Sequence, residues 1–529
     1  MSHDLLGLEL VVVLGAALLG CEVAGRRLGL APPVLLLAAG ALLGFVPALR
    51  EVHLPPEAML LLFLPVLLYW ESLTTSLREI RSNLRGIVLM STLLVIATAA
   101  AVAATAHALG LPWGPAWVLG AALAPTDATA VGVLARRLPR RTLTVLRAES
   151  LVNDGTALVI YGLAVGITVG AEHLGVVHVG WLFLLAYAGG AAAGIATAWL
   201  GVLVRRRLDD PLQESVAVVL IPFTAFLGAE AIHASGVLAV VVCGLIMSQS
   251  GPRVGLPGAR QQTQAAWSLA AHLLNGSLFV LIGLEAQSAV RGLTSVDLAR
   301  ALVTVAIVSA VLVAVRLAFL FVAVFLIRAI DRRPQQRLRR VSHRARVVSA
   351  VAGFRGAVSL AAALAVPHTL DSGAPFEDRD IITFVTCGVI VVTLVGQGLL
   401  LPAVVRWARL PRDTSVEDER HLAQTVATEE ALDALDEVAA ELGTDPEVVR
   451  RLREEYEAHL LVLRADREGA EDVPALRHDQ HDTALRLALL ARKRATVLRL
   501  RDQQRIDDTV LRQVQTALDI EEVRLSRRR

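Results

Sequence analysis

Long runs of Leu, Val, Ala and Ile, separated by short polar clusters, fill the chain from its start to about residue 408. A helix needs roughly 20 apolar residues to cross a hydrocarbon core of about 30 Å. Thirteen stretches fit or approach that length: 5–25, 29–48, 55–73, 84–109, 113–135, 148–170, 178–204, 213–233, 235–250, 264–287, 301–327, 346–367 and 381–405. They predict an all-α polytopic membrane domain over 1–408, with a transporting core in about 84–170 and 301–405. From 409 to 529 acids and arginines alternate, and apolar positions recur at helical spacing in stretches such as 422–442. That part reads as a cytoplasmic helical region for regulation or assembly.

Composition agrees: 55% of residues are hydrophobic and mean hydropathy is positive, values a soluble domain reaches only with an improbably large core. A net charge of +2 implies no polyanion-binding surface, hence no nucleic acid partner. Cys21, Cys243 and Cys387 lie far apart within apolar runs, which supports neither a disulfide framework nor a thiolate metal site. Asp4 precedes the first apolar run and Arg26 and Arg27 follow it, the reverse of a signal peptide's charge order, so an uncleaved first helix is expected.

Arginines test the span count, since cytoplasmic loops are enriched in them. Alternate connections carry Arg26 and Arg27; Arg78, Arg81 and Arg85; Arg136, Arg137, Arg140, Arg141 and Arg147; Arg205, Arg206 and Arg207; Arg253 and Arg260; and a block from Arg328 to Arg346. The other connections hold only Arg50, Arg291, Arg300 and Arg379, and collect acids such as Glu51, Glu172, Asp371 and Asp380. Thirteen spans fit this alternation, with the N-terminus outside and the C-terminus cytoplasmic in the cell's inner (plasma) membrane.

Ionisable side chains inside spans cost about 2.5 to 3.5 kcal/mol each on insertion scales, so each is a functional hypothesis until paired. The fifth span has Asp127, the sixth Glu149 and Asp154, the eleventh Arg316 and the twelfth Arg355. Glu22, Glu71, Glu230 and Glu285 fall near span ends and read as solvated or snorkelling. Pro125 in the fifth span and Gly353 and Gly356 in the twelfth mark breaks, and freed backbone at membrane depth survives only in protein or around a watery cavity. Each broken span is the fifth of six on either side of an odd seventh, the arrangement of two inverted repeats.

In the sixth span Ser150 and Asp154 share one helix face, Glu149 and Asn153 the adjacent one. A hard cation such as Na+ prefers oxygen ligands, which Asp154, the Ser150 hydroxyl, backbone carbonyls near Thr126 and the Asp127 side chain can supply. Three carboxylates against two guanidiniums leave one negative charge, which one sodium ion or one proton neutralises. Glu149 with Arg316 is the expected structural pair, while Arg355 and Asp127 offset half-helix ends of opposite sign, leaving Asp154 to bind proton or cation.

The motifs APTDATA (124–130), ESLVNDGTALV (149–159), LNGSLFVLIGLE (274–285) and GFRGAVSLA (353–361) resemble the sodium/proton exchanger family, in its electroneutral branch with an Asn-Asp pair. The resemblance implies an antiporter, with Asp154 as the cation- and proton-binding aspartate, Asn153 its partner and Ser150 a hydroxyl ligand. It implies further that Thr126 and Asp127 form the unwound segment, that Glu149 supports the site, and that Arg316 and Arg355 are the family's two arginines. One-for-one exchange of Na+ for H+ in a homodimer without a cofactor follows from the same likeness. Ala128 departs from the proline many relatives carry there. Two other readings stay open: exchange of K+ or Li+ for protons, and an ion sensor signalling through the tail. A hydrolase is disfavoured, since no span holds GxSxG, HExxH or paired catalytic aspartates.

Overall fold

A computed structural model describes residues 3–28, 32–46, 59–127, 138–170, 176–292, 295–330, 342–376, 378–410, 413–468 and 474–526. The chain divides into two compact units, Met1–Arg412 and Asp413–Arg529. In the first, helices follow in the order α1 (His3–Leu28), α2 (Pro32–Leu43), α3 (Leu64–Thr74), α4 (Leu77–Ala108), α5 (Trp113–Leu123) and α6 (Arg140–Val169). The order continues through α7 (Val176–Arg205), α8 (Pro211–Glu230), α9 (Gly236–Val254), α10 (Pro257–Gly292) and α11 (Ser295–Ile330). It closes with α12 (His343–Val351), α13 (Ala357–Leu364), α14 (Arg379–Val392) and α15 (Gly398–Ala408), a π-turn at Thr393–Gln397 joining the last two.

A helix overlies each of the thirteen apolar stretches, and among the described residues seven helices are long and apolar enough to cross a membrane. Three shorter apolar helices, Pro32–Leu43, Leu61–Thr74 and Gly236–Gly251, accompany them. Many apolar side chains face outward, Trp199 at 68% exposure and Leu227 at 59%, as expected of surfaces turned to lipid.

Both expected breaks are present. The α5 ladder stops because Pro125 has no N–H to return to the preceding turn; Ala124 makes only a long 3.4 Å bond to Ala121 O. The twelfth span divides into α12 and α13 around residues 352–356. Its glycines admit close neighbours: a Cβ on Gly353 would lie 2.7 Å from Arg316 Cδ, and one on Gly356 only 1.9 Å from a carboxylate oxygen of Asp127. Where the breaks cross, Asp127 N–H donates to Phe354 O at 2.8 Å. Ala128 and the rest of 128–137 lie outside the described residues.

Packing fixes this crossing. Val102 of α4, Leu119 and Leu123 of α5, Leu312 of α11 and Ile382 and Val385 of α14 form one buried cluster. In lipid such helices are held by close van der Waals fit more than by water exclusion. Away from the breaks, Arg205 at the end of α7 meets Glu214 in the first turn of α8 at 2.6 Å, and the second carboxylate oxygen accepts Leu256 N–H at 2.9 Å. One buried pair therefore ties three helix ends together. Of the acids read as solvated, Glu22 pairs with His272 at 2.8 Å, and Glu230 accepts Gly236 N–H at 3.4 Å.

The second unit comprises α16 (Ser415–Asp433), α17 (Leu435–Leu442), α18 (Pro446–Glu468), α19 (Pro474–Asp502) and α20 (Asp508–Ser526). Leu490, Leu518 and Leu525 form a small core between α19 and α20. Exposed ion pairs join the other helices: Arg464 of α18 meets Glu429 of α16 at 2.9 Å, and Arg453 of α18 meets Asp436 of α17 at 2.6 Å.

Candidate cation-binding site

α6 carries four buried polar residues in succession, and the structure sends them in three directions. Glu149 turns to α11, where its carboxylate lies 2.7 Å from Arg316 Nη1. Arg316 also donates from Nε to Ser349 O at 3.1 Å, which anchors the end of α12. Ser150 donates its hydroxyl to Thr126 O at 2.7 Å, holding the unwound segment after α5 against α6.

Asn153 is fully buried, with its amide 3.1 Å from the Thr126 hydroxyl. In the orientation that satisfies both amide ends, its NH2 donates to Glu149 O at 3.1 Å and Ser91 O at 3.2 Å, and its oxygen accepts from Thr126. Asn153 thus braces α4, α6 and the break, and it is absent from the wall of the cavity that holds Asp154.

That cavity, about 40 Å³, lies where the two breaks cross α3 and α6. Such a volume holds a bare cation with one or two waters. Its oxygen-bearing wall residues include Glu71, Thr126, Asp127, Ser150, Asp154 and Ser359, and among the described residues no arginine, lysine or histidine lines it. Asp154 is 4% exposed, and no donor or basic group among the described residues bonds to its carboxylate.

Helix ends supply the fixed charge. Arg355, 2% exposed, donates from Nε to Leu123 O at 3.0 Å and from Nη1 to Gly353 O at 2.5 Å. Its cation therefore covers the negative C-terminal ends of α5 and α12. Asp127 packs against Gly356, the N-cap of α13, where the helix dipole is positive.

Glu71 corrects the sequence reading. It is not a solvated span-end residue: Leu64, Leu67, Leu68 and Glu71 form one stripe of α3 facing the cavity. The intramembrane charge count changes with it, because four carboxylates now stand against the two guanidiniums of Arg316 and Arg355. Two negative charges remain instead of one, so counting no longer yields a stoichiometry. Asn275 and Ser359 also line the cavity. They belong to the LNGSLFVLIGLE and GFRGAVSLA stretches, but no sequence signal gave either a task. Among the described residues no group of three His, Cys, Asp or Glu side chains is arranged as a metal cluster.

The family described as sodium/hydrogen exchanger, transmembrane, matches residues 12–407. An uncharacterised Na+/H+ exchanger of Mycobacterium tuberculosis is 47% identical over 523 residues, covering 98% of this chain and 96% of the relative. A sodium, potassium, lithium and rubidium/H+ antiporter of Bacillus pumilus is 30% identical over 407 residues, covering 74% of this chain and 60% of that protein. The solved sodium/proton antiporter MjNhaP1 of Methanocaldococcus jannaschii shares the fold, with a TM-score of 0.59 at 17% identity over 77% of this chain and 99% of its own.

Proposed function

Because this chain belongs to the sodium/hydrogen exchanger family, transporters and not enzymes, we propose that it exchanges one Na+ for one H+ through alternating occupancy of Asp154. The family activity, cation/proton antiport by a multi-pass membrane protein, is the premise. The observation that carries the finer reading is the cavity itself: three carboxylates, Glu71, Asp127 and Asp154, face it, and among the described residues no basic side chain lines it.

A hard cation is suited to such an oxygen-lined cavity, with Asp154 as its charged ligand, Ser150 as a hydroxyl and the Thr126 segment for carbonyl oxygen. Glu71 and Asp127 supply the remaining negative field. Asn153, Glu149, Arg316 and Arg355 hold the geometry. Only one positive charge enters or leaves per half-cycle, as sodium or as the proton on Asp154. The second surplus carboxylate is common to both states, so it does not alter the one-for-one ratio. Asn153, where a second titrating aspartate would stand in an electrogenic relative, supports the same ratio.

The N-terminus is outside and the C-terminal unit cytoplasmic in the plasma membrane, by the arginine asymmetry between alternate loops. The exchanger works as a homodimer in the reading the family resemblance favours, and its tail regulates or assembles it. Potassium remains the chief rival cation, since the Bacillus pumilus relative is named for four alkali cations. Dequenching of a pH dye in everted vesicles, ion by ion, tests these points. Sodium should dissipate the gradient in the wild type and fail to do so in Asp154→Asn. A response to potassium alone would remove sodium as the substrate, and undiminished exchange by Asp154→Asn would refute the shared-site mechanism.

A further inference from the structure

Hydroxyl groups in the membrane unit mostly return to their own helix. Ser72 donates to Leu68 O at 2.7 Å, Thr105 to Ala101 O at 2.7 Å, Thr156 to Val152 O at 2.9 Å and Thr383 to Arg379 O at 3.0 Å. Each is the back-bond to the carbonyl four residues earlier. Ser359 has no such bond. It is the third residue of α13, so four residues earlier lies Arg355, in the break and outside the helical ladder.

Its hydroxyl is consequently left over: Ser359 is 1% exposed, and its Oγ has no hydrogen-bond partner among the described residues. Ser91, Ser309, Thr386 and Tyr161 also have buried hydroxyls without a partner, but none of them lines the cavity of Asp154, and Ser359 does. A buried polar oxygen left unsatisfied costs about 1–3 kcal/mol, so an oxygen kept in that condition on a cavity wall points to something that enters the cavity. The backbone beneath it is pinned by Asp127 against Gly356 and by Arg355 across the break.

We propose that Ser359 is an oxygen ligand of the transported cation and that its short, fixed tether makes the site select Na+ over K+. This rests on the cation-site reading of the cavity given above. The neutral oxygen offers a lone pair to the ion while its proton is free to be donated to a carboxylate of the same wall. A serine hydroxyl reaches no further than its Cβ allows, and its Cα belongs to the pinned first turn of α13. The smaller ion can therefore be gripped from both the α6 side and the α13 side, whereas the larger one is held apart from an oxygen that cannot retreat. Removing the hydroxyl should weaken sodium more than potassium.

The test is cation-dependent exchange by purified protein in proteoliposomes, together with cation-induced thermal stabilisation in detergent, which reports binding without flux. In Ser359→Ala the apparent KM for Na+ should rise about tenfold and that for K+ less than about threefold, the scale expected for one lost polar contact to a charge. The sodium-induced stabilisation should weaken in parallel. Unchanged KM values for Na+, Li+ and K+ would overturn the assignment. If the alanine variant does not fold, Ser359→Thr and Ser359→Cys decide: threonine keeps the hydroxyl and the sodium KM, cysteine raises it, and equal values in the two overturn the proposal. Asp154→Asn, run alongside, separates the two layers. Full exchange in that variant defeats the cation-site reading, whereas its loss combined with an unchanged Ser359→Ala defeats Ser359 alone.

Discussion

Carboxylates within this membrane unit fall into two groups. Glu149 and Glu214 each meet a guanidinium, at 2.7 Å from Arg316 and 2.6 Å from Arg205. Glu71, Asp127 and Asp154 face one cavity that no basic side chain among the described residues lines. The first group is compensated within the chain and joins helix ends. The second gathers negative charge around one cavity in a low-dielectric setting, which suits the cation visit proposed above. Burial alone therefore does not separate the two groups; position on the wall of the cavity does.

The largest effects should come from breaking the compensated group. Arg316→Ala strands Glu149 and Arg205→Ala strands Glu214, and each should cost about 3–5 kcal/mol of stability, since a buried charge is left alone. Fluorescence-detected gel filtration of solubilised protein after a heating series measures this. Adding Glu149→Ala to Arg316→Ala should recover part of the loss, because no unpaired charge then remains. If Arg316→Ala kept wild-type heat resistance and altered only the sodium KM, the division between the two groups would be wrong at that pair.

Glu71→Gln probes the other group. The fold should survive, because removing a negative charge from a cavity that Asp127 and Asp154 also face relieves repulsion. Apparent KM for sodium should rise about tenfold, the worth of roughly 1.4 kcal/mol of lost attraction. The loss should be smallest at low external pH, because the same field also favours the proton that competes with sodium for Asp154. A Glu71→Gln protein with unaltered KM across pH would place Glu71 among the bystanders of the cavity.

These groups were unequally visible in the sequence. Asp154, Glu149 and Arg316 stood out because intramembrane charges are few, and the breaks stood out because Pro125 and the Gly353 to Gly356 stretch disrupt otherwise apolar helices. Glu71 was hidden by position: it follows a long apolar run and precedes Ser72, Thr74 and Thr75, so it reads as a helix end entering water. Only the register of α3 against α6 brings it to the cavity, and register between distant helices is a tertiary fact. Ser359 was hidden by chemistry, because a serine in an apolar helix ordinarily bonds to its own backbone. Asn153 shows the converse case. Its place beside Asp154 in sequence pointed to the ion, yet one step along a helix turns the side chain by about 100°, and the amide braces Ser91 and Thr126 instead.

The smallest expected effect lies in the second unit, where charges are solvent-exposed and should behave unlike either buried group. Asp507 caps α20, accepting Thr509 N–H at 2.7 Å. The backbone N–H and hydroxyl of Thr509 hold its carboxyl below the usual carboxylate range. A depressed folded-state value means the stabilisation is present above the ordinary carboxylate pKa near 3.9 and lost as pH falls through the lower folded value. Hydrogen exchange of the 508–526 amides should therefore show less protection, once corrected for intrinsic rates, as pH drops from about 5 to about 3. In Asp507→Asn the cap remains but its titration does not, so that pH dependence should flatten while sodium exchange is untouched. If the flattening were accompanied by a changed sodium KM, this exposed cap would be coupled to the buried carboxylates, and the contrast between solvated and cavity charges would need redrawing.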